Sequence, residues 1–334
     1  MGDTMGRLGR WLAAIVAAVV VLLVTGYQSG NHEPVDQVAV GQRELGVELR
    51  AHMVPASEVR LNVVEAGPAS GPPVLLLHGF PEFWWGWKAQ IVRLANAGFH
   101  VIVPDQRGYN ASDKPEEVED YRREALTADV LALLSALHID RVYLAGHDWG
   151  GAVAWTVVLE HPERVRRLVM FNAPHPLAWE EAAKSAAERD TTTTTWFRTF
   201  FQIPVVPEVV MRMGDWALVA RNLQETSRPG TFDATELSYY KAAWARDDAM
   251  STMVDWYRAA FQYPYRTRGD GTVKVPTRIV WGVQDRFFEP RMADLSVQHC
   301  PGGELIRVDA AGHWLLHEEP DLTSRAMIDF FHED

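Results

Sequence analysis

Residues 142–151 read Val-Tyr-Leu-Ala-Gly-His-Asp-Trp-Gly-Gly, and this stretch decides the fold. Its first four residues are apolar, as in a short buried strand, and an apolar segment without a helix breaker follows it as far as Val158. Gly146 and Gly150 let the chain turn sharply between these two elements. We therefore predict a strand, a tight turn and a helix, with the side chain of Asp148 lifted out of the turn.

The residue type at this turn indicates the chemistry that the side chain can perform. A serine that attacked a saturated carbon would form an ether, which water does not readily cleave. A carboxylate that attacks the same carbon forms an ester, whose carbonyl group can be hydrolysed. Asp148 therefore indicates alkyl rather than acyl transfer, although an aspartate between two glycines is also a common turn residue.

Hydrolysis of an ester on Asp148 requires an activated water, and therefore a base with a partner acid. Asp285 follows the predicted strand at residues 278–281, and His313 follows the predicted strand at residues 305–308. Nucleophile, acid and histidine thus occur in the chain order that accompanies this type of turn, each at the end of a strand. We predict that these three residues form a catalytic triad, with His313 as the base and Asp285 as its charge partner.

A second turn follows the predicted strand at residues 74–77 and reads His78-Gly79-Phe80-Pro81. It would present backbone N–H groups to the same pocket, where they can stabilise negative charge on an ester oxygen. Phe80 and Trp149 are the expected donors of this oxyanion hole. Pro81 restricts the chain and is compatible with a cis peptide bond.

Along the rest of the chain, apolar runs of strand length alternate with segments of helical spacing. This alternation predicts a doubly wound, mostly parallel sheet with helices. The composition changes between residues 177 and 272, which are rich in aromatic residues and have a helix-like pattern. We predict a helical cap at residues 177–272, inserted into a core that is formed by residues 43–176 and 273–334.

The amino-terminal end differs from the rest of the chain. Arg7 and Arg10 precede an apolar run at residues 11–24, which is short for a membrane span and long for the core of a signal peptide. We predict an uncleaved signal anchor, a transmembrane helix within residues 1–30, followed by a polar linker at residues 31–42. The arginines predict that the catalytic domain lies outside the cytoplasm. Secretion after cleavage of this segment is the alternative.

Composition limits the possible partners. The net charge of −12 argues against binding to nucleic acid, which requires clustered Lys and Arg. Cys300 is the single cysteine, which excludes an internal disulfide and a cysteine-based metal cluster. We expect no metal and no cofactor, and the sequence leaves the oligomeric state open.

Further motifs extend the pattern beyond the triad. They are HGFPE at 78–82, DQRGYNASDKP at 105–115, GHDWGG at 146–151, NAPHP at 172–176, WGVQD at 281–285 and GHW at 312–314. Together they resemble the epoxide hydrolase branch of the α/β-hydrolase family, whose membrane-anchored members also carry an amino-terminal hydrophobic segment. The resemblance covers about residues 45 to 330. It implies the α/β-hydrolase fold with an inserted helical cap domain.

The resemblance also implies roles for residues of the cap. In that family a cap tyrosine donates a hydrogen bond and then a proton to the epoxide oxygen, and the matching residue here is Tyr257. A second cap tyrosine of many members corresponds to Phe200, which cannot donate. Either Tyr257 acts alone, or another group such as Tyr239 or Tyr240 supplies the second hydrogen bond. We expect the substrate pocket to include Phe200, Tyr239, Tyr240, Trp256 and Trp314.

The implied activity is the hydrolysis of a small, apolar epoxide to a vicinal diol through an ester on Asp148. A dehalogenase of the haloalkane or haloacetate type would share this attack, but it needs donors for a departing halide. Trp149 offers one side-chain N–H for that purpose, and Phe80 offers none. A third hypothesis is a catalytically silent, membrane-tethered binding module, against which the presence of all three triad residues argues.

Overall fold

The computed structural model describes residues 35–188 and 199–333 of the chain. The strands are Leu49–Ala56 (β1), Val59–Ala66 (β2), Pro73–Leu77 (β3), His100–Pro104 (β4), Val142–His147 (β5), Val165–Phe171 (β6), Thr277–Gly282 (β7) and Glu304–Val308 (β8). They form one sheet in the order β1-β2-β4-β3-β5-β6-β7-β8. The pairs β1–β2 and β2–β4 are antiparallel and all other neighbours are parallel. The prediction of a mostly parallel sheet is confirmed.

Helices separate most of the parallel strands along the chain. They are Gln37–Leu45 (α1), Lys88–Asn96 (α2), Arg123–Ala136 (α3), Asp148–Glu160 (α4), Pro176–Glu188 (α5), Val206–Thr226 (α6), Ala234–Trp244 (α7), Ala249–Gln262 (α8), Arg291–Gln298 (α9), Leu315–Glu318 (α10) and Pro320–His332 (α11). Non-helical backbone at residues 213–216 interrupts α6. Short 3₁₀ helices occur at Trp84–Trp87, Val118–Tyr121 and Pro162–Arg164.

The central strands are continuous apolar runs because both faces of the sheet are covered. Consecutive side chains of a strand point to opposite faces, yet residues 74–77 of β3 and residues 101–103 of β4 are all fully buried. Since β3 to β8 are parallel, the loops that follow them emerge at one edge of the sheet. This edge is where the sequence places Phe80, Asp148, Asp285 and His313.

We refer to residues 177–272 as the cap segment. Where the structure describes them, these residues form helices and no strand. The indole N–H of Trp244 donates to the carbonyl of Pro81 at 2.6 Å, and that of Trp256 donates to the carbonyl of Arg107 at 3.0 Å. Both carbonyls belong to loops that follow strands, so the cap segment lies over the carboxyl ends of the strands. Its status as a separate domain stays a prediction.

Helix α1 lies where the sequence predicted a linker. Asp36 caps its first turn by accepting a backbone hydrogen bond at 3.0 Å, and Gly46 ends it in the left-handed conformation with a φ of +66°. The linker prediction for residues 31–42 is therefore wrong from residue 37 onward. The polar composition concealed a helix that has a capping residue at each end.

Membrane association was predicted from residues 1–30, which lie outside the described residues. Within the part of the chain that the structure describes, no helix is both long enough and apolar enough to cross a bilayer. The predicted membrane-anchored location of the catalytic domain is corrected on this finding. Neither that location nor the secreted alternative is proposed further.

Glycine at position 150 lets α4 pack directly against β3. A Cβ atom added to Gly150 would lie 2.2 Å from the carbonyl oxygen of Leu77 and 2.5 Å from that of His78. Both contacts are with backbone, which cannot rotate away as a side chain can. The spacing between the helix and the strand therefore depends on the absence of a side chain at this position.

We expect Gly150→Ala to destabilise the protein by about 1–3 kcal/mol, since the new methyl group forces the helix away from the strand. Urea unfolding of the variant and the wild type measures the difference. The matched control is Ser135→Ala, a change of similar size on the exposed surface of α3, which should alter stability by less than about 0.5 kcal/mol. Equal stability of the two variants would contradict the argument.

Candidate active site

Asp148 is the first residue of α4 and follows β5 directly, as the sequence predicted for this turn. Its φ of +50° lies in the left-handed region, which residues other than glycine adopt where the surrounding structure imposes it. The N–H of Phe80 donates to its Oδ1 at 2.9 Å. Gly79 approaches so closely that a Cβ on it would lie 2.4 Å from the Cβ of Asp148. The carboxylate is thus held against the loop that follows β3.

His313 and Asp285 lie beside this carboxylate. The Nδ1 of His313 lies 2.9 Å from Oδ2 of Asp285, and it is the donor because a carboxylate only accepts. The other ring nitrogen, Nε2, faces Asp148. Nε2 is 3.6 Å from Oδ2 of Asp148, which is too long for a hydrogen bond. The structure thus brings together the three side chains that the sequence places at the ends of β5, β7 and β8. Their catalytic roles stay predictions at this point.

Asp285 is held by a set of donors that the sequence analysis did not identify. Its Oδ1 accepts the backbone N–H groups of Phe287 at 2.6 Å and Phe288 at 3.0 Å. Its Oδ2 accepts the side-chain amide of Asn172 at 2.5 Å. The Oδ1 of Asn172 in turn accepts the N–H of Gly282 at 2.7 Å. Asn172 stands in the NAPHP motif, which was the available signal, but that motif alone does not show which group it faces.

The pKa of His313 is raised above its ordinary value. Burial acts to lower it, because the charged ring loses hydration. The negative charge of Asp285 and its hydrogen bond with Nδ1 outweigh this effect, and the charge of Asp148 adds to them. The ring is therefore a stronger base than an isolated imidazole.

A backbone N–H group donates to the same carboxylate, and a second predicted donor is the residue next to it in the chain. Phe80 supplies the N–H described above, and the peptide bond between Phe80 and Pro81 is cis. Trp149 is the second residue of α4, and N–H groups in the first turn of a helix have no intrahelical acceptor. The sequence predicted Phe80 and Trp149 as oxyanion donors, and their positions are suited to that role.

Tyr257 lies on α8 and faces the same space. Its ring packs against the rings of Phe80, Trp149 and Phe201, with centroid distances of 5.2, 4.9 and 4.6 Å. Burial and the nearby charge of Asp148 hold the pKa of Tyr257 well above its usual value, opposed by a side-chain hydrogen bond with Trp149. The phenol therefore keeps its proton at neutral pH.

One cavity of about 610 Å³ connects these groups, and its walls are largely apolar. The predicted site residues that line it are Phe80, Asp148, Trp149, Phe200, Tyr257, His313 and Trp314. Lining residues that the sequence analysis missed include Trp179, Phe201, Met211, Phe261, Phe287 and Phe288. Within the described residues, no group of three or more His, Cys, Asp or Glu side chains is placed to hold a metal ion.

Tyr239, Tyr240 and Trp256 do not line this cavity, so their assignment to the pocket is wrong. Tyr239 donates to Glu44 at the protein surface. Tyr240 is fully buried and donates to Glu82 at 2.9 Å. Trp256 is buried against the loop that follows β4, to which its indole N–H donates. Tyr240 and Trp256 lie on the sides of their helices that face the core. Aromatic content alone does not reveal the orientation of any of the three.

A buried polar network supports the loop of His313 from behind. The Nε2 of His147 donates to the backbone carbonyl of His313 at 2.9 Å, and its Nδ1 lies 3.2 Å from Oε2 of Glu82. The Oε1 of Glu82 accepts from Tyr240 and, at 2.6 Å, from Nε2 of His317. Burial acts to raise the pKa of Glu82, but His317 and His147 hold it well below its usual range. No motif in the sequence indicates this contact of His317.

The chain is similar to known proteins in sequence and in fold. Residues 72–320 match the sequence pattern of the family described as the alpha/beta hydrolase fold. The chain is 37% identical to the AB hydrolase superfamily protein YfhM of Bacillus subtilis, over 84% of this chain and 98% of that protein. It is 32% identical to Epoxide hydrolase 2 of Caenorhabditis elegans, over 84% and 79%. The crystal structure of Epoxide Hydrolase A from Mycobacterium thermoresistibile matches with a TM-score of 0.72 at 28% identity, over 84% of this chain and 98% of that chain.

We expect His313 to titrate above its ordinary pKa of about 6.5, and Asp285→Asn to lower the midpoint by at least about one unit. The substitution removes the negative charge that raises the pKa, whereas burial, which lowers it, remains. NMR titration of protein with ¹³C-labelled histidine measures both midpoints. Glu163→Gln, an exposed position beside His161, is the control and should leave the His313 midpoint in place. A midpoint that stays or rises in Asp285→Asn would contradict the assignment.

Proposed function

The chain belongs to the α/β-hydrolase family, and from that premise we propose that this hydrolase opens an epoxide to a vicinal diol through a covalent ester on Asp148. The observation that carries the proposal is one cavity that joins a carboxylate at the strand-to-helix turn, a His–Asp pair and a protonated tyrosine. Relatives that bear the name epoxide hydrolase support the same reaction class. The apolar wall of the cavity favours a small, apolar substrate.

In the first step, Oδ2 of Asp148 attacks one carbon of the epoxide ring and the bond from that carbon to the ring oxygen breaks. Oδ1 accepts the N–H of Phe80 at 2.9 Å, so it becomes the carbonyl oxygen of the ester. Oδ2 is the oxygen nearer to His313. The carboxylate is therefore positioned through one oxygen and reacts with the other.

Tyr257 supplies the proton that the ring oxygen needs as it leaves. Its pKa lies well above the usual value, but an alkoxide is more basic still, so the proton passes from the phenol to the alkoxide. Phe200 lines the cavity and cannot donate, and Tyr239 and Tyr240 lie outside it. Tyr265 also lines the cavity, but its hydroxyl donates to a carboxylate at 3.2 Å. In this proposal Tyr257 acts without a second cap tyrosine.

In the second step, Nε2 of His313 takes a proton from a water molecule and the water oxygen attacks Cγ of the ester. Negative charge develops on Oδ1, where Phe80 already donates and Trp149 lies beside it. The intermediate then collapses, and the diol oxygen leaves with the proton from His313. The second proton of the water, which remains on the new carboxyl group, returns to the phenolate of Tyr257, so Asp148 is restored as a carboxylate with one oxygen from water. Because His313 must be neutral, this step slows as the pH falls through the raised pKa of the ring.

The cavity favours this reaction over the alternatives. A dehalogenase requires donors for a halide, whereas Tyr257 is placed as an acid for an alkoxide. A silent binding module needs neither a base nor an acid, yet the donors around Asp285 hold His313 in the orientation that catalysis requires. We propose neither alternative for this chain.

We expect Asp148→Asn to lower diol formation by at least about a thousandfold, because an amide is a poor nucleophile. His313→Gln should let the ester accumulate, since the first step proceeds without its base. Mass spectrometry of the intact variant after mixing with styrene oxide should show an adduct of the mass of the epoxide. Each variant is compared with wild type on a haloalkane in parallel.

An isotope experiment sharpens this test. In a single turnover in H₂¹⁸O, attack of water on Cγ leaves the label in Asp148 and gives an unlabelled diol. Label in the diol would instead indicate direct attack of water on the epoxide and would contradict the ester. Steady halide release without diol formation would replace the proposal with dehalogenation.

We expect Tyr257→Phe to lower kcat for epoxide opening by about 10²–10⁴-fold, the usual contribution of a positioned general acid. Stopped-flow measurement of Trp fluorescence separates ester formation, which should slow, from ester hydrolysis, which should not. Tyr265→Phe is the matched control, because it removes a hydroxyl from the same cavity wall. Equal losses in the two variants would remove Tyr257 from the acid role.

A further inference from the structure

Arg123 places a positive charge in the cavity without an anionic partner among the described residues. It is the first residue of α3, and it lines the same cavity as Asp148. Within the described part of the chain, no Asp or Glu carboxylate comes within 4.0 Å of its guanidinium. Its neighbours are instead aromatic, with the guanidinium carbon 5.8 Å from the ring of Trp149 and 5.7 Å from that of Tyr265.

Two hydrogen bonds hold the guanidinium in place without neutralising it. Nη1 of Arg123 donates to the carbonyl of Ala152 at 2.5 Å and to the hydroxyl of Thr156 at 3.4 Å. That carbonyl lies inside α4 and also accepts the hydroxyl of Thr156 at 3.2 Å, so it does not require a donor from Arg123. Among the described residues, Nε and Nη2 have no acceptor. These groups are therefore free to donate to a ligand.

The charge persists at neutral pH. Burial lowers the pKa of Arg123 to about 10, and Tyr265 and Glu124 act in the opposite direction. Such a value leaves the guanidinium protonated at pH 7. Placing a cation in a partly desolvated position without a counter-ion is unfavourable for folding. A bound anion would offset that cost.

Arg123 lies far enough from Asp148 to contact the end of a substrate that is remote from the epoxide ring. Its anchor Ala152 is one helical turn beyond Asp148, which is about 6 Å along the axis of α4. The wall of the cavity is largely apolar and includes Phe261 and Pro264. The acidic residues among those that line the cavity are Asp148 itself and the exposed Glu180.

We infer that Arg123 binds a carboxylate at the far end of the substrate, so that the preferred epoxides carry a carboxylate joined to the ring by an apolar chain. This inference rests on the proposed function. The planar fork of N–H groups on a guanidinium matches the two oxygens of a carboxylate, which a neutral end group does not satisfy. The intervening chain keeps the negative charge of the ligand away from Asp148.

The test compares ω-epoxy carboxylic acids of increasing chain length with their primary amides, which have the same shape and no charge. At the best chain length, we expect the wild type to convert the acid with a kcat/KM at least about tenfold higher than that of the amide, a factor that corresponds to 1.4 kcal/mol. The difference should appear as a lower KM for the acid. Arg123→Met should bring the ratio of acid to amide close to one, and Arg123→Lys should retain part of it. Arg122→Met is the matched control, since Arg122 pairs with Glu119 at 2.9 Å, and it should keep the wild-type ratio.

The outcomes separate this inference from the proposed function. Equal kcat/KM for acid and amide in wild type, or an unchanged ratio in Arg123→Met, would overturn the carboxylate site while diol formation continues. Absence of diol from every epoxide would instead contradict the proposed function. If thermal unfolding shows that Arg123→Met does not fold, the carboxylate site is tested on the wild type instead. Inhibition by unreactive alkanoates is then compared with inhibition by alkanamides of equal length. Alkanoates that inhibit no better than the amides would then overturn the site.

Discussion

The close packing of α4 against β3 is the constraint on which the rest of the site depends. A Cβ at Gly150 would lie 2.2 Å from the carbonyl of Leu77, and one at Gly79 would lie 2.4 Å from the Cβ of Asp148. Because the two elements approach this closely, Asp148 adopts a left-handed backbone conformation and the N–H of Phe80 reaches its carboxylate. A wider spacing would move the carboxylate of Asp148 away from this donor and from His313 together.

The surroundings raise the pKa values of two groups beside Asp148, the imidazole of His313 and the phenol of Tyr257. Asp285 raises the pKa of His313 against the effect of burial, which makes the ring a better base. Burial and the charge of Asp148 raise the pKa of Tyr257, which keeps the phenol protonated. A base and an acid thus lie beside one carboxylate, and the same negative charge on Asp148 contributes to both shifts.

Two polar systems hold His313, one through its side chain and one through its backbone. The side chain of His313 is oriented by Asp285, which is itself held by Asn172 and by backbone N–H groups. The backbone of His313 is held by His147, which is linked to the buried carboxylate of Glu82. Arg123 differs from the exposed Arg286 of the same cavity, because its charge is half-buried and has no carboxylate of the described residues within 4.0 Å.

The sequence by itself predicted the mostly parallel sheet and the meeting of Asp148, Asp285 and His313, because parallel strands bring their carboxyl ends to one edge and each residue lies in the turn or loop after a strand. Only the tertiary structure decided which aromatic residues of the cap segment face the cavity. Phe200 does and Tyr240 does not, since the rotation of each helix is set by its packing against loops distant in the sequence. The structure also decided that residues from 37 onward form α1, and that Asn172 and His317 support the site. Such contacts join residues that are far apart along the chain, and no local pattern encodes them.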